Sequence, residues 1–120
     1  MNLNERLDLA HEILDYYKLN NKIIVSCHLE KDVLAFFNFD TGDIELCDDT
    51  RIESDEDFIL SVLHEAKHAM DARAVGLANY GLKYERKVMH LENRNLDSYK
   101  HHIDEIKAEQ FAQTELKHWL

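Results

Sequence analysis

The chain has 120 residues, of which 14 are basic and 24 are acidic, so its formal net charge is −10. This length is enough for one hydrophobic core and too short for two, so we expect residues 1–120 to form a single domain. The acidic balance argues against a nucleic-acid partner, and the lack of any long uncharged run argues against a membrane protein. No basic segment followed by an apolar stretch opens the sequence, which favours a cytoplasmic location.

The first half of the chain is predicted to form one helix and a small sheet. Apolar residues recur at helical spacing from Asn4 to Leu19, which indicates an amphipathic packing helix. Three segments rich in β-branched, aromatic or alternating apolar residues then predict strands, at 22–28, 33–39 and 43–47.

Turn chemistry between the strands predicts how they are connected. The sequence from Asp40 to Asp43 is typical of a hairpin turn, and residues 29–32 can form the turn before it. We therefore expect a three-stranded antiparallel meander, with one face covered because Ile44 and Leu46 alternate with polar residues. An exposed edge strand of this sheet could pair with an extended peptide.

The two cysteines fall on different predicted strands. In a reducing compartment we interpret Cys27 and Cys47 as buried thiols, with zinc ligation or a disulfide as the alternatives. Neither cysteine has another cysteine or a histidine at the spacing of a zinc finger. They are therefore not central to the predicted function.

The segment from Ser54 to Gly76 contains the motif His-Glu-x-x-His, formed by His64, Glu65 and His68. Its first residues are typical of a helix start and Gly76 is typical of a helix end, which predicts a helix of about twenty residues. On that helix the two histidines lie on one stripe, where both imidazoles can bind one metal ion. Glu65 lies about 100° further around the helix, in the position of the general base of a zinc hydrolase.

A second interpretation of this helix involves no metal. His64 and His68 would then be ordinary exposed or hydrogen-bonded histidines beside an i,i+4 pair of Lys67 and Asp71. Lys67 favours this interpretation because it lies about 60° from His64, so that a cation would flank the metal-binding side. Pairing of Lys67 with Asp71 would relieve that unfavourable charge.

The last third of the chain is predicted to add two helices. Residues 77–94 have a weak helical period that Asn79 and Gly81 interrupt, which predicts a short helix flanked by loops. The segment Asp97 to Leu120 begins with cap chemistry and is predicted to be one long helix packed on two sides. Its first face holds Tyr99, Ile103 and Ile106, and its second face holds Ser98, His102, Glu105, Glu109, Ala112 and Leu116.

The second face of this helix carries two carboxylates, Glu105 and Glu109, that need a partner if they are buried. A metal ion held by His64 and His68 would be such a partner. Four residues of the last two segments are candidates for a hydrogen bond to a developing oxyanion, namely Tyr80, Tyr84, His90 and His102.

Two motifs of this chain together resemble a known family. His64-Glu65-Ala66-Lys67-His68 and the downstream Glu105-Ile106-Lys107-Ala108-Glu109-Gln110-Phe111-Ala112 are similar to the glutamate-zincins (gluzincins), in particular the small ImmA/IrrE-like metallopeptidases of phage and bacteria. The resemblance covers residues 55–116 and implies a minimal zincin-like α+β fold. It also implies that zinc is bound by His64, His68 and Glu105. Glu65 would then deprotonate the zinc-bound water, and Glu109 would accept a hydrogen bond from the far nitrogen of His64.

The chain departs from the family pattern at two positions. Lys67 stands where glycine is common, and Glu109 stands where asparagine or aspartate is common. Glu109 is the alternative third ligand, followed by His101, His102 and Asp71. Asp71 is better placed to accept a hydrogen bond from a ligand histidine than to bind the metal directly.

The resemblance implies a zinc-dependent metallopeptidase that hydrolyses peptide bonds in a protein or peptide substrate. A domain this short has little room for a deep cleft, so a partner protein could complete it. The alternative is a zincin-fold protein that binds metal but acts by protein–protein contact, which Lys67 and the small size both allow. A third hypothesis is a metal-free acidic adaptor, for which the two motifs would be coincidental.

Overall fold

The computed structural model describes residues 1–26, 29, 33–48 and 54–120, which form four helices and a three-stranded sheet. The helices are α1 (Leu3–Tyr16), α2 (Asp55–Val75), α3 (Leu77–Asn93) and α4 (Ile103–Trp119), and the strands are β1 (Ile23–Ser26), β2 (Ala35–Phe37) and β3 (Ile44–Cys47). The predicted α+β class is confirmed. Among the described residues, no helix is long and apolar enough to cross a membrane. Cys27 and most of the predicted turn at 29–32 lie outside the described residues.

Helix α1 confirms the first predicted helix, although it ends before Leu19. It starts at Leu3 because the Asn2 side chain accepts a hydrogen bond from the Glu5 amide at 2.8 Å, while the Glu5 carboxylate accepts one from the Asn2 amide at 3.2 Å. It ends because Lys18 takes a left-handed backbone conformation, with φ of 59°. Its inner face is fully buried at Ala10, Ile13 and Leu14.

The sheet is mixed, so the predicted antiparallel meander is wrong. The strand order is β1-β3-β2, in which β2 pairs with β3 antiparallel and β1 pairs with β3 parallel. The predicted hairpin turn between β2 and β3 is confirmed, with the Asn38 amide donating to the Asp43 carbonyl at 2.9 Å. Residues 27–34 link β1 to β2, and this connection is longer than a hairpin turn, so β2 is free to lie on the far side of β3.

One face of the sheet is covered, as the alternation in β3 predicts. Ile44 and Leu46 of β3 are at most 1% exposed, whereas Phe36 on the opposite face of β2 is 41% exposed. The covered face packs against α2 through Ala35 and Phe37 of β2. The motif helix therefore lies directly beside the edge strand β2.

Helix α2 is the central element of the core, and its predicted bounds are confirmed. Ser54 caps the start by accepting a hydrogen bond from the Asp57 amide at 3.3 Å, and Gly76 ends the helix with a φ of 90°. Helices α1, α3 and α4 and strand β2 all pack against it. Its buried apolar residues are Phe58, Ile59, Val62, Leu63, Ala66, Ala69 and Ala72. A helix packed on so many sides holds its histidines in fixed positions.

Helix α3 is longer than predicted. It runs without interruption from Leu77 to Asn93, so the expected loops around a short helix are wrong. Asn79 lies in its first turn, and its side-chain amide donates to the Val75 carbonyl at 3.3 Å. This hydrogen bond satisfies one of the free carbonyl groups at the C-terminal end of α2. Gly81 does not interrupt α3, because a single glycine inside a helix costs only about 1 kcal/mol and the surrounding turns continue.

Helix α4 begins later than predicted and is buried on one side only. Asp97 does cap a turn, by accepting hydrogen bonds from the Tyr99 and Lys100 amides at 2.9 and 2.8 Å, but this turn ends before the helix. The cap of α4 is His102, whose Nδ1 accepts from the Asp104 amide at 3.1 Å. The predicted first face is wrong because its three members, Tyr99, Ile103 and Ile106, are 61%, 45% and 38% exposed.

Candidate metal centre

Two histidines of α2 and one glutamate of α4 meet in the interior. One nitrogen each of His64 and His68 and one carboxylate oxygen of Glu105 all lie within 4.8 Å of one another. The Nε2 of His64 is 3.0 Å from Oε1 of Glu105, and the Nε2 of His68 contacts the same oxygen. The three residues are 7%, 2% and 7% exposed. Such a buried group of two nitrogens and one oxygen could hold a metal ion.

Small residues allow the two helices to approach closely at this point. Ala66 of α2 and Ala108 and Ala112 of α4 are fully buried, on the two helices that carry the three polar side chains and pack against each other. Side chains without bulk leave room for the histidines and the glutamate between the helix axes. The alanines of the two motifs therefore position the site even though they carry no chemistry.

The other ring nitrogen of each histidine also has a partner. The Nδ1 of His64 lies 3.2 Å from Oε2 of Glu109, so the predicted contact between these two residues is present. The Nδ1 of His68 lies 2.8 Å from the hydroxyl of Tyr80. If each Nδ1 carries the proton and donates it, both Nε2 lone pairs point towards the site and are able to bind a metal.

Asp71 does not take the role that was predicted for it. Its Oδ1 accepts a hydrogen bond from the Lys67 ammonium at 2.8 Å, and both side chains are about one quarter exposed. The Nδ1 of His68 instead contacts the hydroxyl of Tyr80, a residue of α3. The predicted i,i+4 pair is present, and the Lys67 charge is balanced beside the site.

Three of the predicted oxyanion donors are engaged in other contacts. Tyr80 contacts His68, and the Tyr84 hydroxyl donates to Oε2 of Glu105 at 3.1 Å. His102 is fully buried, stacks on Tyr84 with ring centroids 3.9 Å apart, and donates from Nε2 to the Tyr84 carbonyl at 3.1 Å. Tyr80 and Tyr84 therefore support His68 and Glu105, and His102 supports Tyr84.

The remaining histidines named from the sequence lie elsewhere. His90 and His101 line a separate cavity between α3 and the start of α4, together with Arg86 and Ile103. Both histidines are exposed. Glu109, the alternative third ligand, is also exposed, and its carboxylate contacts the Nδ1 of His64. The geometry therefore favours Glu105 as the third ligand.

The site favours a cation because Glu105 is held in its charged form. Burial raises the pKa of Glu105, but hydrogen bonds from His64 and His68 outweigh burial and lower it to about 2. Burial lowers the pKa of His64, and the hydrogen bond to Glu105 with the nearby carboxylates outweighs it, so that the pKa is raised. The carboxylates thus attract either protons on the imidazoles or a metal ion in their place.

Glu65 lies next to His64 at the side of the site that faces β2. Its Oε2 accepts a hydrogen bond from the Phe37 backbone amide at 2.9 Å. Burial raises the pKa of Glu65 to about 7, although His68 and His64 act in the opposite direction. The sequence could not reveal the Phe37 contact, because it depends on which strand forms the sheet edge.

Two open cavities adjoin the site, and both are lined by His64 and Glu109. The first cavity has a volume of about 220 Å³. Its lining is apolar along the chain at 33–35 and polar on the side of α2 and Glu109. The lining residues are Val33, Leu34, Ala35, Leu60, Ser61, His64, Glu65, Tyr99 and Glu109. The second has a volume of about 400 Å³ and is lined by His64, Tyr99, Lys100, Glu105, Ile106, Glu109 and Gln110. Tyr99 borders both cavities, which its place on a predicted apolar face did not suggest.

No known protein family, no curated protein and no solved structure matches the chain. The geometry of His64, His68 and Glu105 and the two sequence motifs are therefore the observations from which a function is inferred.

Proposed function

We propose that the protein is a zinc-dependent metallopeptidase with a minimal zincin-like fold. His64, His68 and Glu105 would bind the zinc ion and Glu65 would act as the general base. The convergence of the three ligand atoms within 4.8 Å supports this proposal most strongly. Two histidines and one glutamate form a donor set typical of catalytic zinc, which keeps a fourth position open. The resemblance of the two motifs to the ImmA/IrrE-like metallopeptidases agrees with this set.

The chemistry expected of zinc here is to lower the pKa of a water molecule and to polarise a substrate carbonyl. Glu65 takes the proton of the attacking water and passes it to the leaving amine. The Phe37 amide holds one oxygen of this carboxylate, so the other oxygen is available for the proton. A pKa of about 7 suits this role, because a base near neutrality can both accept and return a proton.

The edge strand β2 offers a place for an extended peptide. The hydrogen bonds Asn38 amide to Asp43 carbonyl and Cys47 amide to Leu34 carbonyl show which peptide groups of this hairpin face β3. By the alternation of an antiparallel pair, the peptide groups of Ala35 then face away from β3. Ala35 also lines the smaller cavity beside Glu65. A substrate strand paired with this edge would pass next to the base.

The alternative function is that of a binding protein with the same fold. An unpaired Lys67 would favour a binding protein, because its positive charge would lie beside the metal and weaken metal-dependent chemistry. Its ion pair with Asp71 weakens this argument. The position of Glu65 beside the three candidate ligands supports the enzyme, since binding alone would not need a carboxylate there.

The test is to incubate zinc-loaded protein with a peptide library made from a bacterial proteome and to identify new amino termini by mass spectrometry. We expect new termini with the wild type and none with Glu65→Gln, while zinc content stays equal. Glu92→Gln, an exposed change on α3, is the matched control and should cleave like the wild type. A zinc-loaded wild type that produces no new termini, or a Glu65→Gln variant that produces the same ones, would contradict the proposal and favour a binding protein.

A further inference from the structure

A basic cavity lies outside the candidate metal centre, between α3 and the start of α4. It has a volume of about 300 Å³. Four nitrogen-bearing side chains and two apolar ones line it, namely Arg86, Lys87, His90, His101, Leu91 and Ile103. None of these described residues is acidic, whereas the two cavities at the metal centre both contain carboxylates. In a chain of net charge −10, this cavity is therefore a local site for an anionic group.

Arg86 supplies the cation that is available to a ligand in this cavity. Its side chain is exposed, and it makes no side-chain hydrogen bond or ion pair with another described residue. Lys87, by contrast, donates to both carboxylate oxygens of the buried Asp104, at 3.0 and 2.9 Å, so its charge is already balanced. A guanidinium presents a planar fork of donors that matches a carboxylate. Arg86 is therefore the residue best suited to hold a carboxylate there.

An exposed apolar surface of α4 joins the basic cavity to the metal centre. Ile103 lines the basic cavity, and Ile106 lines the larger of the two cavities beside His64. The two isoleucine side chains are 45% and 38% exposed. Residues three apart are neighbours on the surface of a helix, so the two side chains form one continuous apolar surface. They belong to the predicted first face of α4, which the structure leaves exposed beside the cleft.

A peptide chain matches this combination of surfaces better than a small anion does. An exposed apolar surface with a polar rim is typical of a site that binds another chain. A small anion in the basic cavity would leave Ile103 and Ile106 without a partner. A substrate held at the metal centre, by contrast, could continue across both isoleucines and place a carboxylate beside Arg86.

We propose, on the basis of the peptidase function above, that the protein selects substrates with an acidic residue a few positions away from the scissile bond. The carboxylate of that residue accepts hydrogen bonds from the Arg86 guanidinium. Apolar substrate residues between it and the scissile bond pack against Ile103 and Ile106. Because this surface lies away from the reacting atoms, Arg86 holds the substrate and takes no part in bond cleavage.

The peptide library experiment tests this selection when Arg86→Gln and Arg86→Glu are compared with the wild type. Among the peptides cleaved by the wild type, we expect Asp and Glu to be enriched at a fixed position near the scissile bond. Arg86→Gln should remove this enrichment, and Arg86→Glu should replace it with an enrichment of Lys and Arg. Lys83→Gln is the matched control, because Lys83 is exposed on the same helix and does not line the cavity. It should keep the wild-type pattern.

A binding measurement on the full chain provides a readout that does not depend on turnover. The probes are acetyl-Phe-Leu-Ala-Glu-Glu-amide and acetyl-Phe-Leu-Ala-Gln-Gln-amide, each titrated into zinc-loaded Glu65→Gln protein while amide chemical shifts are recorded. We expect the acidic probe to bind about 10-fold more tightly and to shift the amides of Leu91 and Ile103. Adding Arg86→Gln should remove the difference between the probes, and adding Lys83→Gln should leave it unchanged.

The outcomes separate the two proposals. If the wild type cleaves peptides without an acidic preference that Arg86→Gln removes, the role of the basic cavity is overturned and the peptidase function stands. If acetate alone binds the cavity as tightly as the acidic probe, the cavity is a site for small anions and its role in substrate selection is overturned. If no peptide is cleaved but the acidic probe binds through Arg86, the peptidase function fails and the recognition of acidic segments stands.

Discussion

At the scale of single residues, the candidate site depends on how each histidine ring is oriented. The Nε2 atoms of His64 and His68 face Glu105, while their Nδ1 atoms face Glu109 and Tyr80. Partners of this kind fix the tautomer and increase the basicity of a ligand histidine. The residues that contact the ligands should therefore affect metal affinity although they do not bind the metal.

The Tyr80→Phe variant tests this at His68. The substitution keeps the ring and removes the hydroxyl, so the buried Nδ1–H of His68 loses its partner. We expect zinc affinity to fall by about 10-fold, measured by competition with a chromophoric chelator. Tyr16→Phe should leave affinity unchanged, and an unchanged affinity in Tyr80→Phe would show that the His68 contact has no effect on the site.

The motif residues could be predicted from the sequence, but their supporting contacts could not. Helical spacing places His64 and His68 on one face of α2, whereas the resemblance of the two motifs implied that Glu105 joins them and that Glu109 contacts His64, and both contacts are present. The partner of His68 could not be found in this way, since Tyr80 lies on another helix. Its position depends on the angle at which the chain leaves α2.

At the scale of the elements, that angle is set by Gly76. Gly76 ends α2 and directly precedes α3, with φ of 90° and ψ of 138°. Residues with a side chain rarely adopt this conformation. The glycine therefore allows α3 to turn back over α2 and bring Tyr80 and Tyr84 to the site.

Gly76→Ala should destabilise the protein, and Gly81→Ala should not. At Gly76 the backbone strain is expected to cost about 1–3 kcal/mol, although no atom lies within 4 Å of the new methyl group. At Gly81, inside α3, the methyl group would lie 3.7 Å from the Phe39 carbonyl oxygen, and better helix propensity should give up to about 1 kcal/mol of stabilisation. Urea denaturation measures both values, and equal effects of the two substitutions would contradict this account.

The elements that were predicted incorrectly have a common physical cause. Local signals were correctly recognised at Asp97 and Gly81, but their consequences depended on packing. Asp97 caps a turn that holds Tyr99, and Gly81 lies inside a continuous helix. The pairing of β1 with β3 also depends on contacts between segments distant in sequence. Tertiary contacts of this kind override local propensity.

At the scale of the whole molecule, the buried charges make stability depend on pH. In the metal-free protein the pKa values of Glu65 and His64 are both raised, so the folded state binds more protons than the unfolded state. The stability from Glu65 is lost as pH rises from 4.5 to about 7, and that from His64 is lost above 6.5. Glu105 acts in the opposite direction, and its contribution is lost as pH falls from 4.5 to about 2.

We therefore expect the metal-free protein to unfold at lower urea concentration at about pH 8 than at about pH 5. Zinc should reverse this order, because it needs deprotonated histidines and stabilises the folded state more at the higher pH. The Glu65→Gln variant keeps nearly the same surface charge and should lose part of the pH dependence. A metal-free protein that becomes more stable as pH rises would contradict the assignment.

The central claim is that His64, His68 and Glu105 form one metal site. The most direct test is the zinc content per chain, measured by mass spectrometry after zinc loading and desalting, for the wild type, His64→Ala, Glu105→Ala and the exposed control His90→Ala. We predict one zinc ion per chain in the wild type and in the control, and none in the other two variants. A wild type without zinc, or a Glu105→Ala variant that retains a full equivalent, would contradict the claim.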